Sequence, residues 1–323
     1  MNADRPLVTL DDIRDAARRV AGIARVTPLL DVSAIAGRPL MLKCENMQTG
    51  GAFKIRGAFN MVAQLTDEQR QRGVITFSSG NHGQAMAIAA RAVHAPAVVV
   101  MPTTAPRVKV DGVRRAGAEV IFAGTTSVDR KTRAEAEAQA RGLTIVPPFD
   151  HEWIIAGQGT AGLEILDQQP DVGAVLVPIG GGGLAAGVAA AIKLSRPGVK
   201  VIGVEPTGSA KMKASVAAGR PITLERTHSI ADGLLPVRPG DLTFAHVRRF
   251  IDEVVTVSDA QIVDAVLWLI ASAKVIVEPS GAATVAAALA GAGPRDLPVV
   301  AVVSGGNMDL EKLEEFRRTR AGS

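Results

Sequence analysis

The sequence of 323 residues contains a single cysteine, Cys44. One cysteine excludes a disulfide within the chain and any zinc site built on several cysteines of one chain. A chain that makes no use of disulfides is typical of a reducing compartment. Residues 1–12 also lack the apolar block of a secretory signal, so we expect a cytoplasmic protein.

Aromatic residues are also scarce, since they make up 3% of the chain and tyrosine is absent. The basic residues, which give a formal net charge of +4, are interleaved with acidic residues instead of forming one basic stretch. Nucleic-acid surfaces combine clustered basic residues with aromatic side chains that stack on bases. The composition therefore does not favour nucleic acid as a partner.

Long uninterrupted apolar stretches are the third scarce feature. The longest uncharged stretch, 172–192, is interrupted by Pro178 and by glycines at 180–183, so it predicts a strand, a loop and a helix instead of a membrane span. With 47% hydrophobic and 21% charged residues, the chain has the composition of a folded globular protein. We expect no association with membranes.

Short β-branched runs alternate with Ala-rich or amphipathic segments, which is typical of parallel strands joined by crossover helices. The sequence thus predicts an α/β fold with two sheets. The first predicted sheet has helices near 83–93, 106–116 and 127–141, and its strands are 74–77, 97–101, 119–122 and 143–146. The second has helices after residue 183 and at 258–272, and its strands are 174–177, 200–204, 254–257 and 299–303.

The remaining segments either connect the sheets or precede them. The stretch 146–151 breaks both periodicities and is the natural connection between the two sheets. Thr9 is placed to cap the first helix, and residues 40–43 read as a strand. Composition does not show which sheet that strand joins.

Four consecutive glycines, Gly180 to Gly183, lie between a predicted strand and a predicted helix. Backbone without Cβ atoms allows N–H groups to approach a phosphate closely, and the helix N-terminus adds partial positive charge. The other interpretation is a tight turn, although each glycine costs conformational entropy. A dinucleotide also fits, because Glu205 lies where a ribose-binding acid is expected, but Ala185 departs from that fingerprint.

A second polar loop, with the sequence SSGNHG at 78–83, precedes another predicted helix. Its hydroxyls, its amide and the N–H groups of the helix N-terminus suit an anion such as a carboxylate, while helix capping is the simpler interpretation of each residue alone. We interpret His82 as a structural hydrogen-bonding residue in preference to a catalytic base, because nothing near it in sequence would orient it.

Two further positions carry reactive groups. Lys54 lies between Phe53 and Ile55, where apolar surroundings would lower its pKa and make its amine a nucleophile; a lysine extending to solvent is the alternative. Ser304 follows the predicted strand 299–303 and either binds a ligand or caps a following helix.

These segments together resemble the fold type II (tryptophan synthase β-like) pyridoxal-phosphate enzymes, most closely the threonine/serine dehydratase and serine racemase branch. The resemblance covers nearly the whole chain. The matching stretches are LKCENMQ at 42–48, GAFKIRGA at 51–58, SSGNHGQ at 78–84, MP at 101–102, GQGT at 157–160, GGGG at 180–183, VEPSGA at 277–282 and SGGN at 304–307.

The resemblance implies two open, twisted, mostly parallel sheets flanked by helices. It also implies a large cofactor-binding domain of residues 1–70 plus 148–323 and a small domain of residues 71–147. Lys54 would form a Schiff base with pyridoxal 5'-phosphate. The other cofactor-binding residues would be Phe53 beside that lysine, Asn81 at the ring hydroxyl, Ser304 at the pyridine nitrogen, and Gly180, Gly181, Gly182, Gly183 and Leu184 around the phosphate.

The same resemblance implies that Lys54 moves the Cα proton and that one loop holds the substrate carboxylate. The residues of that loop are Ser78, Ser79, Gly80, Asn81 and His82. In serine racemases, a serine at the position of Ser79 is the acid/base on the opposite face of Cα. The expected reaction is the dehydration and deamination of L-threonine or L-serine to a 2-oxo acid and ammonia, in a homodimer.

Several alternatives remain open on the sequence alone. On the same scaffold, they are racemisation of serine or aspartate and dehydration of hydroxyaspartate. From other classes, they are a nucleotide-dependent oxidoreductase that uses Gly180–Gly183 and Glu205, and a binding protein without catalysis. In metal-dependent serine racemases, an acid, a carbonyl and an aspartate bind a cation. Here the aligned positions are Glu205, Ser209 and Lys211, so we expect no metal, and without a regulatory domain we expect no inhibition by isoleucine.

Overall fold

The computed structural model describes residues 6–78, 80–105 and 107–321. In this part of the chain the strands are β1 (Leu29–Asp31), β2 (Leu40–Lys43), β3 (Val74–Phe77), β4 (Ala97–Met101), β5 (Glu119–Phe122), β6 (Thr144–Ile145), β7 (Ala174–Pro178), β8 (Lys200–Pro206), β9 (Glu253–Val257) and β10 (Val299–Val302). The two series of strands predicted from the sequence are present.

The α-helices lie between these strands and at both ends. They are α1 (Leu10–Val20), α2 (Ser33–Ala36), α3 (Lys54–Val62), α4 (Asp67–Arg72), α5 (Asn81–Ala92), α6 (Arg107–Arg115), α7 (Ser127–Arg141), α8 (Glu152–Gln168), α9 (Gly183–Ser195), α10 (Lys211–Ala218), α11 (Asp241–Phe250), α12 (Asp259–Trp268), α13 (Pro279–Leu289) and α14 (Leu310–Ala321). Among the described helices, none combines the length and the apolar character that a bilayer span requires.

The larger sheet has six strands in the order β1-β2-β10-β7-β8-β9. Only its edge pair, β1 and β2, is antiparallel among the described pairings. All residues of β7 and β10 are buried, because helices cover both faces of a parallel sheet. β10 is the last of the described strands in sequence but lies in the middle of the sheet, where Val300 is paired with Met41 on β2 and with Val175 on β7.

The smaller sheet has four parallel strands in the order β5-β4-β3-β6. The predicted α/β class with two mostly parallel sheets is thus confirmed. The strand at 40–43, which composition left unassigned, joins the larger sheet as β2. The division into domains of residues 1–70 plus 148–323 and 71–147 stays a prediction.

Among the sequence-predicted elements whose bounds differ from those observed are one strand and one helix. The predicted strand 143–146 is reduced to β6, which pairs with β3 at only two positions. The predicted helix 258–272 is α-helical only to Trp268 and continues as a π-helical turn, Leu269–Ala273. Lys274 then adopts a left-handed conformation with φ of 59°, which ends the helix without a glycine.

Helices α8 and α9 cross closely because glycines meet at their contact. A Cβ added to Gly187 would lie 2.3 Å from the carbonyl oxygen of Ile155 and 2.5 Å from the amide nitrogen of Gly159. Atoms of real side chains do not approach that closely, so glycine is required here. This contact fixes α9, and therefore its N-terminus, against the rest of the larger sheet's helical layer.

A buried ion network fixes the helix that begins at Lys54. Arg56 contacts Glu45 through Nη2 and Oε1 at 2.7 Å, and contacts Glu164 on α8 through Nη1 and Oε1 at 2.6 Å. Lys43 reaches the other oxygen of Glu164 at 2.5 Å. The network joins β2, α3 and α8, so it holds the first turn of α3 in place.

Replacement of Arg56 by Met will leave the buried carboxylate of Glu45 without its cation. Removing one partner of a buried pair costs about 3–5 kcal/mol, and we expect the free energy of unfolding in urea to fall by that amount. The matched control is Arg72→Met, since Arg72 forms an exposed pair with Glu68 on α4. A loss in the control equal to that in Arg56→Met would contradict the stabilising role given to the buried network.

Candidate active site

Backbone contacts join the segment that precedes Lys54 to the loop that follows β10. Ala52 and Gly305 form an antiparallel bridge, the amide of Phe53 donates to the carbonyl of Ser304 at 3.1 Å, and the amide of Gly306 donates to the carbonyl of Gly51 at 2.8 Å. Lys54 and Ser304, which are distant in sequence, are therefore carried on adjacent segments at the carboxyl end of β10.

The side chain of Lys54 is half-buried and has no carboxylate partner among its described contacts. Its Nζ donates to the carbonyl oxygen of Pro148 at 2.8 Å and lies 5.1 Å from the centroid of the Phe53 ring. Burial lowers the pKa of this amine to about 8. A larger fraction of the amine is therefore uncharged near neutral pH than for a lysine in solvent, which favours the nucleophile interpretation.

His82 lies in the first turn of α5 and is buried. Its Nε2 is 3.1 Å from the carbonyl oxygen of Val146, while Nδ1 has no hydrogen-bond partner among the described residues. Burial, together with the charge of the nearby Lys54, lowers the pKa of this imidazole to about 3. The ring is therefore neutral, and the contact with Val146 gives it the structural role that the sequence favoured.

Asn81 is held by partners from two distant segments. Its Nδ2 donates to Oε1 of Glu278 at 2.5 Å, and its Oδ1 accepts from Nδ2 of Asn307 at 2.8 Å. Asn307 also donates to the carbonyl of Gly50 at 2.9 Å, next to the segment that carries Lys54. The amide of Asn81 is consequently fixed in one orientation and is linked through Asn307 to the segment that precedes Lys54.

Glu278 is buried at the start of α13. Its carboxyl is desolvated and lies near the charge of Asp232, and together these raise its pKa to about 7, against the opposing effects of Lys109 and Asn81. Glu278 and Asn307 fall within stretches that match the family, but sequence reasoning gave neither residue a role. Their contacts span 197 and 226 residues of sequence, and no local signal indicates them.

The glycine run forms the loop between β7 and α9. No described side chain caps the N-terminus of α9, which begins at Gly183. Gly182 has φ of 103°, and a Cβ on Gly181 would lie 2.3 Å from the ring of Phe149. Uncapped N–H groups at a buried helix start are suited to an anion, so this loop fits a phosphate.

Helix α11 holds the same loop from the other side. Oγ1 of Thr243 donates to the carbonyl oxygen of Gly181 at 2.7 Å, and the amide of Gly240 donates to that oxygen at 3.3 Å. Asp150, from the connection between the two sheets, caps α11 by accepting from three consecutive amides that end at Thr243. In this loop the carbonyl oxygen of Gly181 is thus bound by protein groups, whereas the N–H groups at the start of α9 are suited to a ligand.

Glu205 and Lys211 form a fully buried pair at 3.0 Å. Both oxygens of Glu205 also accept from backbone amides of α10, so this carboxylate is not open to a ribose hydroxyl. Nζ of Lys211 donates to the carbonyl oxygens of Ile179, Ser209 and Leu234 at 2.9–3.1 Å. The amine of Lys211 is therefore surrounded by four oxygens. Among the residues that the structure describes, no group of three or more acids, histidines or cysteines could hold a metal ion.

The remaining predicted site residues are only partly described. Ser79 lies outside the described residues. Ser78 accepts from the amide of Gly80 at 3.2 Å, so its hydroxyl orders the loop ahead of α5. Oγ of Ser304 is buried and lies 3.5 Å from the carbonyl of Ser280; α14 begins only at Leu310, so Ser304 does not cap a helix.

The site thus combines an amine with a lowered pKa, an uncapped helix N-terminus that fits a phosphate, and fixed polar groups between them. That is the arrangement of an enzyme that binds a phosphorylated aldehyde as cofactor. A family model described as pyridoxal-phosphate dependent enzyme matches residues 20–305. The chain belongs to this family, and its cofactor is pyridoxal 5'-phosphate.

The similarity to named relatives covers nearly the whole chain. An L-threonine ammonia-lyase from Thermotoga maritima is 42% identical over 96% of this chain and 78% of its own length. A serine racemase from Arabidopsis thaliana is 42% identical over 99% of this chain and 100% of its own. The structure of maize serine racemase has a TM-score of 0.92 and 39% identity, and covers 98% of this chain and 99% of that one.

Replacement of Glu278 by Gln will make stability less dependent on pH. An acid whose folded pKa is raised contributes stability that is complete below its ordinary pKa of 4.5 and is lost as pH rises through about 7. Unfolding in urea at pH 5 and pH 8 measures the effect. We expect the free energy of unfolding of the variant to exceed that of the wild type by up to about 3 kcal/mol, and only at pH 8. If the substitution changes the free energy of unfolding equally at both pH values, the buried carboxylate of Glu278 does not destabilise the protein when it is ionised.

Proposed function

We propose that this protein converts L-threonine or L-serine to the corresponding 2-oxo acid and ammonia. The observation that carries the proposal is the half-buried amine of Lys54, whose pKa is lowered to about 8, at the junction of the 50–54 segment and the Ser304 loop. The name of the Thermotoga relative, L-threonine ammonia-lyase, supports it.

Pyridoxal 5'-phosphate supplies, when bound, an electron-withdrawing ring that stabilises negative charge at the substrate Cα. The residues that we propose to hold it are Lys54 and Phe53 at the aldehyde, Asn81 at the ring hydroxyl, Ser304 at the ring nitrogen, and Gly180, Gly181, Gly182, Gly183 and Leu184 at the phosphate. The neutral hydroxyl of Ser304 does not keep a proton on the ring nitrogen as a carboxylate would, which favours elimination over long-lived carbanion chemistry.

Nζ of Lys54 is the group that we propose to take the Cα proton. A base is most effective when its pKa lies near the working pH, and burial brings this amine close to that range. The carbonyl of Pro148, at 2.8 Å, orients the amine without supplying charge. A carboxylate in that place would keep the amine protonated and prevent it from acting as a base.

The start of α5 is the proposed site of the substrate carboxylate. The helix begins at Asn81 without a cap among the described side chains, so its first N–H groups are available to an anion. The residues that we propose to contact the carboxylate are Ser78, Ser79, Gly80, Asn81 and His82. The neutral imidazole of His82 has a free Nδ1 within the described structure, so it adds a hydrogen-bonding group without adding charge.

Racemisation of serine is a second candidate function. It is supported by the serine racemase of Arabidopsis thaliana, which matches this chain along its full length at 42% identity. The proposed acid/base for the second face of Cα is Ser79. Chiral chromatography of L-serine incubated with the enzyme distinguishes the two reactions, because D-serine appears only if the proton returns to the opposite face.

Replacement of Lys54 by Ala will abolish both reactions. We expect release of 2-oxo acid to fall by at least about 10³-fold, because the variant loses both the covalent attachment and the base. Loss of the visible absorbance band that borohydride bleaches will accompany it. Lys131→Ala is the matched control, since that lysine is exposed on α7.

Two outcomes would contradict the proposal. If Lys54→Ala still deaminates serine at the rate of the Lys131→Ala control, Lys54 does not have the assigned role. If the wild type has the absorbance band but neither releases 2-oxo acid nor racemises threonine or serine, the substrate class is wrong while the cofactor assignment stands.

We propose that activity does not depend on Mg²⁺. The ammonium of Lys211 already satisfies the carbonyls of Ile179, Ser209 and Leu234 together with Glu205, so a divalent cation would meet its charge. Treatment with EDTA followed by dialysis is expected to leave the rate of 2-oxo acid release unchanged, and added MgCl₂ is expected to give no gain. A rate that falls with EDTA and returns with Mg²⁺ would contradict this prediction.

We also propose a cytoplasmic homodimer, as the single cysteine and the resemblance to the family imply. Cys44 is buried, and its burial raises the pKa of the thiol to about 11, so the thiol is unreactive at neutral pH. Sedimentation of the purified protein measures the assembly state directly.

A further inference from the structure

An ion pair joins the two sheet units beside the proposed substrate loop. Lys109 lies on α6, which flanks the smaller sheet, and Asp232 lies in a short helical turn, Asp232–Leu234, between β8 and β9 of the larger sheet. Nζ of Lys109 contacts Oδ2 of Asp232 directly. The lysine side chain is 17% exposed and the aspartate 41%, so the pair is only partly accessible to solvent.

Lys109 is also in contact with the loop proposed to bind the substrate carboxylate. A Cβ placed on Gly80 would lie 3.2 Å from Cδ of Lys109 and 3.3 Å from its Nζ. The lysine stem therefore covers the glycine that precedes Asn81, and its ammonium lies within a side chain's length of the start of α5. A substrate whose carboxylate is held at the start of α5 would therefore lie in the electrostatic field of this pair.

The turn that carries Asp232 is fixed to the cofactor side of the site. The amide of Gly233 donates to Oγ of Ser280 at 2.9 Å, and the carbonyl of Leu234 accepts from Nζ of Lys211 at 3.0 Å. The carbonyl oxygen of Gly233 lies 2.8 Å from the position of a Cβ on Gly180. Asp232 is therefore a fixed negative charge between the phosphate loop and the substrate loop.

Three acidic side chains, those of Asp232, Glu278 and Asp309, act on the ammonium of Lys109. Burial lowers the pKa of Lys109, but Asp232 and, more weakly, Glu278 and Asp309 outweigh burial, so the pKa is raised on balance. The ammonium is thus charged and already engaged by a carboxylate. Asp309 is also nearby, as is Glu278, whose raised pKa of about 7 leaves it only partly ionised at neutral pH. A second carboxylate on a substrate would meet this surplus of negative charge and no free cation from the pair.

We propose that the Lys109–Asp232 pair determines substrate specificity by selecting amino acids whose side chain is neutral over those with a second carboxylate. The inference rests on the proposed function and deepens it, because it separates serine and threonine from aspartate and hydroxyaspartate. Neither residue is assigned a part in bond making or breaking.

The test uses two analogues that bind without turnover, α-methylserine and α-methylaspartate, since neither has a proton on Cα. Calorimetry with the holoenzyme gives the Kd of each. We expect Asp232→Asn, which frees the ammonium and removes one negative charge, to improve the affinity for α-methylaspartate relative to α-methylserine by about tenfold. Lys109→Gln is expected to change the same ratio in the opposite direction, because Asp232 then lacks its counter-ion.

Glu119→Gln is the matched control, because Glu119 also belongs to a partly exposed ion pair on the smaller sheet unit, with Arg141. Its affinity ratio is expected to equal that of the wild type. A ratio that is unchanged in Asp232→Asn, or that changes in the same direction in Asp232→Asn and Lys109→Gln, overturns the inference.

Turnover of L-serine and L-threonine by the wild type is measured separately and tests the proposed function. If turnover is absent, the proposed function is wrong. If turnover is present but the ratio of the two Kd values does not change as expected, only the inference about specificity is wrong. In Asp232→Asn the ratio of kcat/KM for threonine and serine is expected to stay unchanged, because both side chains are neutral. A change in that ratio as large as the change for the charged analogue would indicate a general loss of fit and overturn the inference.

Discussion

The backbone bridge between Ala52 and Gly305 is the contact on which the site depends. One side of it leads directly into α3, whose first residue is Lys54, and the other side is the loop at the end of β10. Asn307, from the same loop, then reaches Asn81 on the smaller sheet unit. A single crossing of two loops thus sets the relative positions of Lys54, Ser304 and Asn81.

The buried cations of this protein differ in whether a carboxylate accompanies them. Lys43, Arg56 and Lys211 each contact a buried or half-buried carboxylate. Burial lowers the pKa of Lys43 and of Lys211, but the charge of the carboxylate opposes that effect, and at Arg56 the carboxylates raise the pKa. Lys54 contacts only the carbonyl of Pro148 among its described polar partners, and burial therefore acts on it unopposed. The surroundings of each amine therefore distinguish Lys54, which we propose to be reactive, from the structural lysines Lys43 and Lys211.

Local sequence patterns were sufficient for the fold class, for both series of strands and for the glycine loop at Gly180, because periodicity and glycine runs act over short distances. They predicted the strand β2 but not the sheet that it joins, because its parallel partner β10 lies far along the chain. Nor did they indicate the roles of Glu278 or of the Lys109–Asp232 pair, which spans 123 residues. Contacts of that range depend on topology, and the roles assigned to the site residues stay predictions.

The position of β10 has a consequence for how the molecule is made. During synthesis on the ribosome this strand emerges after the other described strands, yet it must insert between β2 and β7, which are largely apolar. Until then the two strands present unpaired edges, which are prone to pair with other chains. A nascent chain of this topology is therefore prone to aggregation until β10 has left the ribosome and paired with β2 and β7. Chaperones that cover these edges would protect it during that time.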